Sequence, residues 1–275
     1  MSATQVRYLI CTVPRSGSNF LCDSISQTEQ LGMRAMSRRR YERLKSLAME
    51  NFQRVNWTEK DPLHLLESAF AKSATANGVM GFKVMWSHLR RTLEVSARRG
   101  SDGNVTIADL EKRLAENTRF IWLRRRDRER QAISLTKAMQ SNAWRSSDEQ
   151  EFQGQYVYDF PGIAWRLNEI RSQEAAWQAF FERHSSEALT LYYEDYLTDL
   201  EGTVRRIGDW LGVSCEYAVQ GSSEYQRQSS SLNDEWLRRY RRDSSGMMRA
   251  AGAIAAAGAS KDWWASYLHR LRSKI

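Results

Sequence analysis

Apolar and polar positions along the chain fall into short blocks with two different periods. Tyr8 to Val13 is an apolar, β-branched run that reads as a buried strand. It passes through Pro14-Arg15-Ser16-Gly17-Ser18-Asn19 directly into Phe20, Leu21, Ser24 and Ile25, which are helically spaced. The same reading predicts strands over Gly78–Val84, Arg119–Leu123 and Leu189–Tyr192. Between them the spacing becomes helical. One helix opens at Asp61-Pro62, an N-cap residue followed by proline at the first helical position, and carries Leu63, Leu65, Leu66, Ala69 and Phe70. Others are predicted over Ile107–Asn117, after Arg124–Asp127 with Ala132, Ile133, Leu135, Ala138 and Met139 as the apolar stripe, over Gly162–His184, and over Glu194–Leu211. From there to the end the chain reads as polar and helical, with one low-complexity patch at Ala250–Ala259.

Strands alternating with helices predict an α/β fold: a mainly parallel central sheet with helices on both faces. In such sheets ligands bind beyond the carboxyl ends of the strands. Arg15 to Ser18, Lys83, Arg124 to Asp127 and Tyr193 are therefore expected around one crevice.

Composition narrows the class. At 275 residues, the chain suits a single domain over 1–275, with a core at about 7–243 and a helical extension over 244–275. Hydrophobic residues at 41% and charged residues at 27% exclude a disordered chain. The N-terminus has no basic region leading into an apolar one, and no apolar run approaches the ~18–20 residues of a membrane span, so a soluble cytoplasmic protein without a membrane span is expected. Cys11, Cys22 and Cys215 form neither a metal pattern nor a disulfide framework; buried, inert thiols and no bound metal are the expectation.

A net charge of +8 implies anionic company. No zinc-finger, homeodomain or RNA-recognition signature is present, and a nucleic-acid partner is not expected. The arginines gather at 34–40, 124–130 and 227–242, which suits a small, highly charged ligand as well as it suits a duplex.

The first strand–loop–helix unit has the chemistry of a phosphate cradle. Backbone N–H groups converge at the helix start, where the helix dipole adds to their attraction for an anion, and Arg15 supplies a permanent charge. It is not a Walker A loop, since no lysine follows Gly17, and an ordinary strand–helix turn is the plainer alternative. Around Arg124–Arg130 the plain alternative is a solvated helix start. Cations there oppose the helix dipole, however, so something anionic should offset them.

Taken together these stretches resemble the PAPS-dependent sulfotransferases, and among them the bacterial trehalose 2-sulfotransferase family. PAPS is 3′-phosphoadenosine 5′-phosphosulfate. The resemblance is carried by Tyr8–Leu21, by Gly81-Phe82-Lys83-Val84-Met85-Trp86, and by Leu123-Arg124-Arg125-Arg126-Asp127 with Gln131-Ala132-Ile133-Ser134. It continues through Gln140-Ser141-Asn142-Ala143-Trp144 and, more weakly, Arg227-Gln228, Asp234-Glu235-Trp236 and Tyr240-Arg241-Arg242. It implies a P-loop-like sulfotransferase fold, PAPS as sulfonate donor, PAP as product, a small-molecule or carbohydrate acceptor, and a homodimer. It further implies that Arg15, Ser16, Gly17, Ser18, Asn19 and Phe20 hold the 5′-phosphosulfate, while Arg125, Ser134, Arg227 and Gln228 hold the 3′-phosphate. Lys83 would stabilise charge in the transfer step; its plain alternative is a salt-bridged lysine on the rim. Trp86 and Trp144 are the tryptophans whose motifs place them near the site, the others being core.

The resemblance breaks at one point. In the family a Gly-x-Pro-x-Glu segment supplies the general base; here the run is Gly32-Met33-Arg34-Ala35-Met36, and a thioether cannot accept a proton. His88 is the replacement base to consider, with Glu42 and Glu29 behind it and a non-catalytic helix-start histidine as the plain alternative. Arg34, Arg38, Arg39 and Arg40 fall where the family meets its acceptor and suggest an anionic one, although a solvated basic helix would look the same. Three other readings remain open: a donor-binding protein without transferase activity, a nucleotide phosphoryl transferase, and a polyanion binder.

Overall fold

The structure, a computed structural model, describes residues 5–33, 62–99, 105–144, 152–215 and 231–256. Arg34 to Arg40, Met36, Glu42, Arg227 and Gln228 lie outside the described residues.

Four strands form one sheet: β1 (Val6–Thr12), β2 (Val79–Met85), β3 (Arg119–Arg124) and β4 (Ala188–Tyr192). All neighbours are parallel, in the order β2-β1-β3-β4. Nine helices are described: α1 (Ser18–Gln27), α2 (Pro62–Ser73), α3 (Trp86–Arg99), α4 (Ile107–Glu116), α5 (Arg128–Ser141), α6 (Phe160–Arg183), α7 (Tyr193–Thr198), α8 (Leu200–Leu211) and α9 (Ser231–Ala256). The strands are apolar on both faces, as sheet buried on both sides requires. Leu9, Cys11, Phe82, Val84, Phe120 and Trp122 pack into one layer with α2 to α6 and α9. Tyr8, Ile10, Ile121, Leu123, Leu189 and Leu191 pack into the other with α1, α7 and α8. Gly81 stands opposite Tyr8 in the register because a Cβ there would come within 2.1 Å of the Tyr8 ring.

Several helix boundaries differ from the expected ones. The predicted helix over 194–211 is two helices, because Asp199 leaves helical geometry and caps α8, its Oδ1 accepting from the Gly202 N–H at 2.8 Å. The long helix begins at Phe160, two residues earlier than expected: Asp159 caps it and Pro161 occupies its first turn. The helix α3, directly after β2, was not among the expected helices; its apolar contribution is a narrow stripe through Leu89 and Leu93. Cys11, Cys22 and Cys215 are free, and burial pushes the Cys22 thiol up to about 11, which keeps it protonated and unreactive. Among the described residues no helix is long and apolar enough to cross a membrane.

The element order fixes where a ligand can sit. The chain leaves β1 for α1 on one face and leaves β3 for α5 on the other. The loops after these neighbouring strands diverge there, and the crevice between them is the switch point where α/β sheets bind ligands.

Candidate active site

The loop after β1 is shaped by side chains that claim its carbonyl groups. Trp177 Nε1 donates to the Thr12 carbonyl at 3.0 Å, and Gln131 Nε2 to Pro14 at 2.7 Å. Arg125 Nη1 donates to Arg15 at 3.4 Å and the Tyr196 hydroxyl to Gly17 at 2.7 Å. In a trans peptide the next N–H points opposite to the carbonyl. The N–H groups of Arg15, Ser16 and Ser18 therefore each point away from the side chain that holds the preceding carbonyl. Two residues take left-handed conformations to make the turn, Arg15 at φ 63° and Gly17 at φ 79°, and Gly17 is the N-cap of α1. Thr12 Oγ1 lies 2.6 Å from Ser16 Oγ and donates to the Leu123 carbonyl at 2.9 Å, which ties the loop to the end of β3.

Arg15 spans the crevice. Its Nε donates to Ser134 Oγ at 2.9 Å and its Nη1 to the Trp144 carbonyl at 3.0 Å. The sequence-predicted residues Arg15, Arg125 and Ser134 therefore meet within one hydrogen-bonded cluster. Phe20 packs against Tyr196, with ring centres 5.8 Å apart. Trp144 borders the crevice through its backbone, whereas Trp86 turns inward against Trp177 at 5.0 Å and is core.

The basic run at the end of β3 divides sharply. Arg124 and Arg128 both pair with Glu174, at 3.1 and 2.7 Å; Arg126 pairs with Asp195, and Arg130 with Asp127 and Asp234. The anion expected to offset these four is thus supplied by the protein's own carboxylates. Arg125 differs. Among the described residues it has no carboxylate partner, its Nε is buried without a hydrogen bond, and its guanidinium stacks on Tyr193 at 4.6 Å. Burial lowers its pKa, while Tyr193, Glu194 and Asp127 act in the opposite sense. A buried guanidinium of this kind matches a phosphate bidentately.

Lys83 and His88 lie at the other side of the loop. Lys83 Nζ donates to Asn19 Oδ1 at 2.5 Å, which joins the end of β2 to the first turn of α1. His88 is in the first turn of α3, exposed at its surface yet crowded by neighbouring chain. That desolvation first, and then the nearby Lys83 ammonium, holds its pKa below the ordinary imidazole value. Glu29 is exposed on the turn that follows α1.

The sequence can be compared with known proteins. The family model described as Stf0 sulphotransferase matches residues 7–243. The chain belongs to the Stf0 sulphotransferase family. Two curated relatives align with it over 268 residues, covering 89% of this chain and 97% of each relative. One, 25% identical, is named trehalose 2-sulfotransferase, from Mycobacterium tuberculosis (strain ATCC 35801 / TMC 107 / Erdman). The other, 26% identical and of the same name, is from Mycolicibacterium smegmatis (strain ATCC 700084 / mc(2)155). The family's stretch spans every described site element, from β1 to the first half of α9.

Sequence reasoning missed the residues that shape the loop from afar. Trp177 and Tyr196 reach it across 165 and 179 positions. Nothing in their local sequence separates them from other buried aromatics. Gln131 sits in a quoted motif, but its role as a carbonyl donor needed the fold.

Proposed function

We propose that this chain transfers a sulfonate group from PAPS to a hydroxyl of a carbohydrate or other small-molecule acceptor. The observation that carries the reading is the meeting of Arg15 and Arg125 at the switch point, where the one cation of its run without a carboxylate partner among the described residues faces the phosphate loop. The turned N–H groups of Arg15, Ser16 and Ser18 hold the 5′-phosphosulfate with Gly17 and Asn19 in the same turn. Arg125 and Ser134 hold the 3′-phosphate. The names of the two relatives favour a sugar as acceptor.

In the reaction the acceptor oxygen attacks sulfur in line. The new O–S bond forms as the bond from sulfur to the 5′-phosphate oxygen breaks, and PAP departs with the electron pair. The residues contribute by positioning and by stabilising charge on the leaving and equatorial oxygens. Lys83, held by Asn19 beside the loop, is the cation for that charge. His88 takes the acceptor proton.

Calorimetric titration with PAP beside AMP and ATP tests the donor site. PAP is expected to bind at least about 10-fold more tightly than AMP, with the advantage lost in Arg125→Ala. Equal affinity for PAP and AMP would sink the reading.

The base has its own test. A pKa lowered from 6.5 leaves His88 neutral at neutral pH, so its capacity to accept a proton is lost only as pH falls through that lowered value. Initial rates should be level above pH 7 and decline in acid, and His88→Asn should lower turnover by about 100-fold and remove the acid limb. An unchanged acid limb in the variant would assign the proton to another group. Donor binding without transfer is the second reading, kept by Met36 at the family's base position; tight PAP binding with no sulfation of any sugar would favour it.

A further inference from the structure

A small cleft with room for about one water opens beside the phosphate loop, lined by Arg15, Ser134, Lys137, Ser141, Tyr156 and Asn233, with two alanines completing the wall. Its lining among the described residues includes two cations and no carboxylate. Ser134, Lys137 and Ser141 follow one another at three and four residues along α5, so one helix face presents hydroxyl, ammonium and hydroxyl in a row.

Lys137 is unusual for its type, being only 5% exposed. Burying an ammonium is costly unless charge or a π face compensates it. Here its Nζ stands 4.7 Å from the centre of the Tyr156 ring. That ring is itself held down. Gln140 Nε2 donates to the Val157 carbonyl at 2.7 Å while its Oε1 accepts from the Val157 N–H at 3.0 Å, and Phe152 packs on Tyr156 at 4.8 Å. Residues 152–157 are thus clasped over the lysine, whose cleft is shared with Ser134 and Arg15. A solvated lysine would have no need of such an arrangement; a phosphate placed at Ser134 would lie in the same cleft and on the same helix face as this ammonium.

Given the donor proposed above, we propose that Lys137 is a donor-specificity residue, whose ammonium joins the Ser134 hydroxyl on the 3′-phosphate and makes the site select nucleotides that carry one. Tyr156 holds the lysine stem in place for that contact.

The test pairs one change in the protein with one in the ligand. The full chain and its Lys137→Met variant, which keeps an unbranched stem and removes the charge, are each titrated with PAP and with AMP. The ratio of PAP to AMP affinity should fall by about 10- to 100-fold in the variant while AMP affinity stays the same, and Lys137→Arg should restore most of the ratio. A purely structural lysine would weaken both ligands alike or neither, leaving the ratio unchanged, and that result overturns the proposal. If the wild-type chain itself fails to distinguish PAP from AMP, the donor reading falls and the role of Lys137 falls with it. Lys137→Gln provides the same comparison should the methionine variant not fold.

Discussion

Gly17→Ala is expected to lower the melting temperature and to weaken PAP binding by at least about 10-fold. Two costs combine. At φ 79° the backbone is left-handed, which costs an L-residue about 1–2 kcal/mol. The added Cβ would also lie 2.0 Å from the Tyr196 hydroxyl and 2.4 Å from the Tyr193 ring. Neither tyrosine can withdraw freely. Tyr196 is fully buried and donates to the Gly17 carbonyl, and Tyr193 lies beneath the Arg125 guanidinium. Relief at Gly17 therefore displaces Arg125, and on the donor reading proposed above the damage passes from the phosphosulfate half of the site to the 3′-phosphate half. A total of about 2–4 kcal/mol in stability is expected, read by thermal or denaturant unfolding. Tyr196→Phe, which removes only the hydrogen bond, should cost about 1 kcal/mol. A Gly17→Ala protein with unchanged melting and unchanged PAP affinity would show that the loop does not hold this conformation in solution.

Glu174→Ala is expected to be the most destabilising loss of a charge. The carboxylate is 4% exposed on α6, and its Oε2 accepts from both Arg124 and Arg128. Removing one partner of a buried ion pair leaves a desolvated charge uncompensated, at about 3–5 kcal/mol. Arg124 and Arg128 retain 19% and 38% of their side-chain exposure and can recover some hydration, so about 2–4 kcal/mol is the expected loss. Arg124 also stacks on Trp122 at 4.1 Å, which limits how far it can move towards water. Equilibrium unfolding in urea reads the change, and Glu174→Gln should fall between wild type and alanine. A loss below about 0.5 kcal/mol would place Glu174 among ordinary surface carboxylates.

The sheet was legible because its strands are buried on both faces and so appear as unbroken apolar runs; each predicted strand lies within two residues of the observed one. Helix ends were less so. The apolar spacing of Tyr196, Leu197 and Leu200 continues across Asp199, and a periodicity count passes over the break even though an aspartate there is a capping signal. The start of α6 carried a readable Asp-x-Pro signal at Asp159, which the spacing of apolar residues placed too late. At the site, the motif residues Arg15, Arg125 and Ser134 were identifiable by type and order, and the fold brings them together. What could not be read was which arginines of the 124–130 run are neutralised. Their partners Glu174, Asp195 and Asp234 lie 46 to 104 positions away, and only tertiary packing decides that Arg125 is passed over.

The phosphate loop also has a place in the order of folding. Its motif is complete by residue 20, yet the donors that set its carbonyl directions come from Arg125, Gln131, Trp177 and Tyr196. Contacts across such sequence distances form late, after the closure entropy of long segments has been met. During synthesis the whole anion-binding sequence leaves the ribosome well before any residue able to shape it. On the donor reading proposed above, a nascent chain is therefore blind to the nucleotide until α7 has docked, and donor binding would report completion of the sheet rather than of the motif.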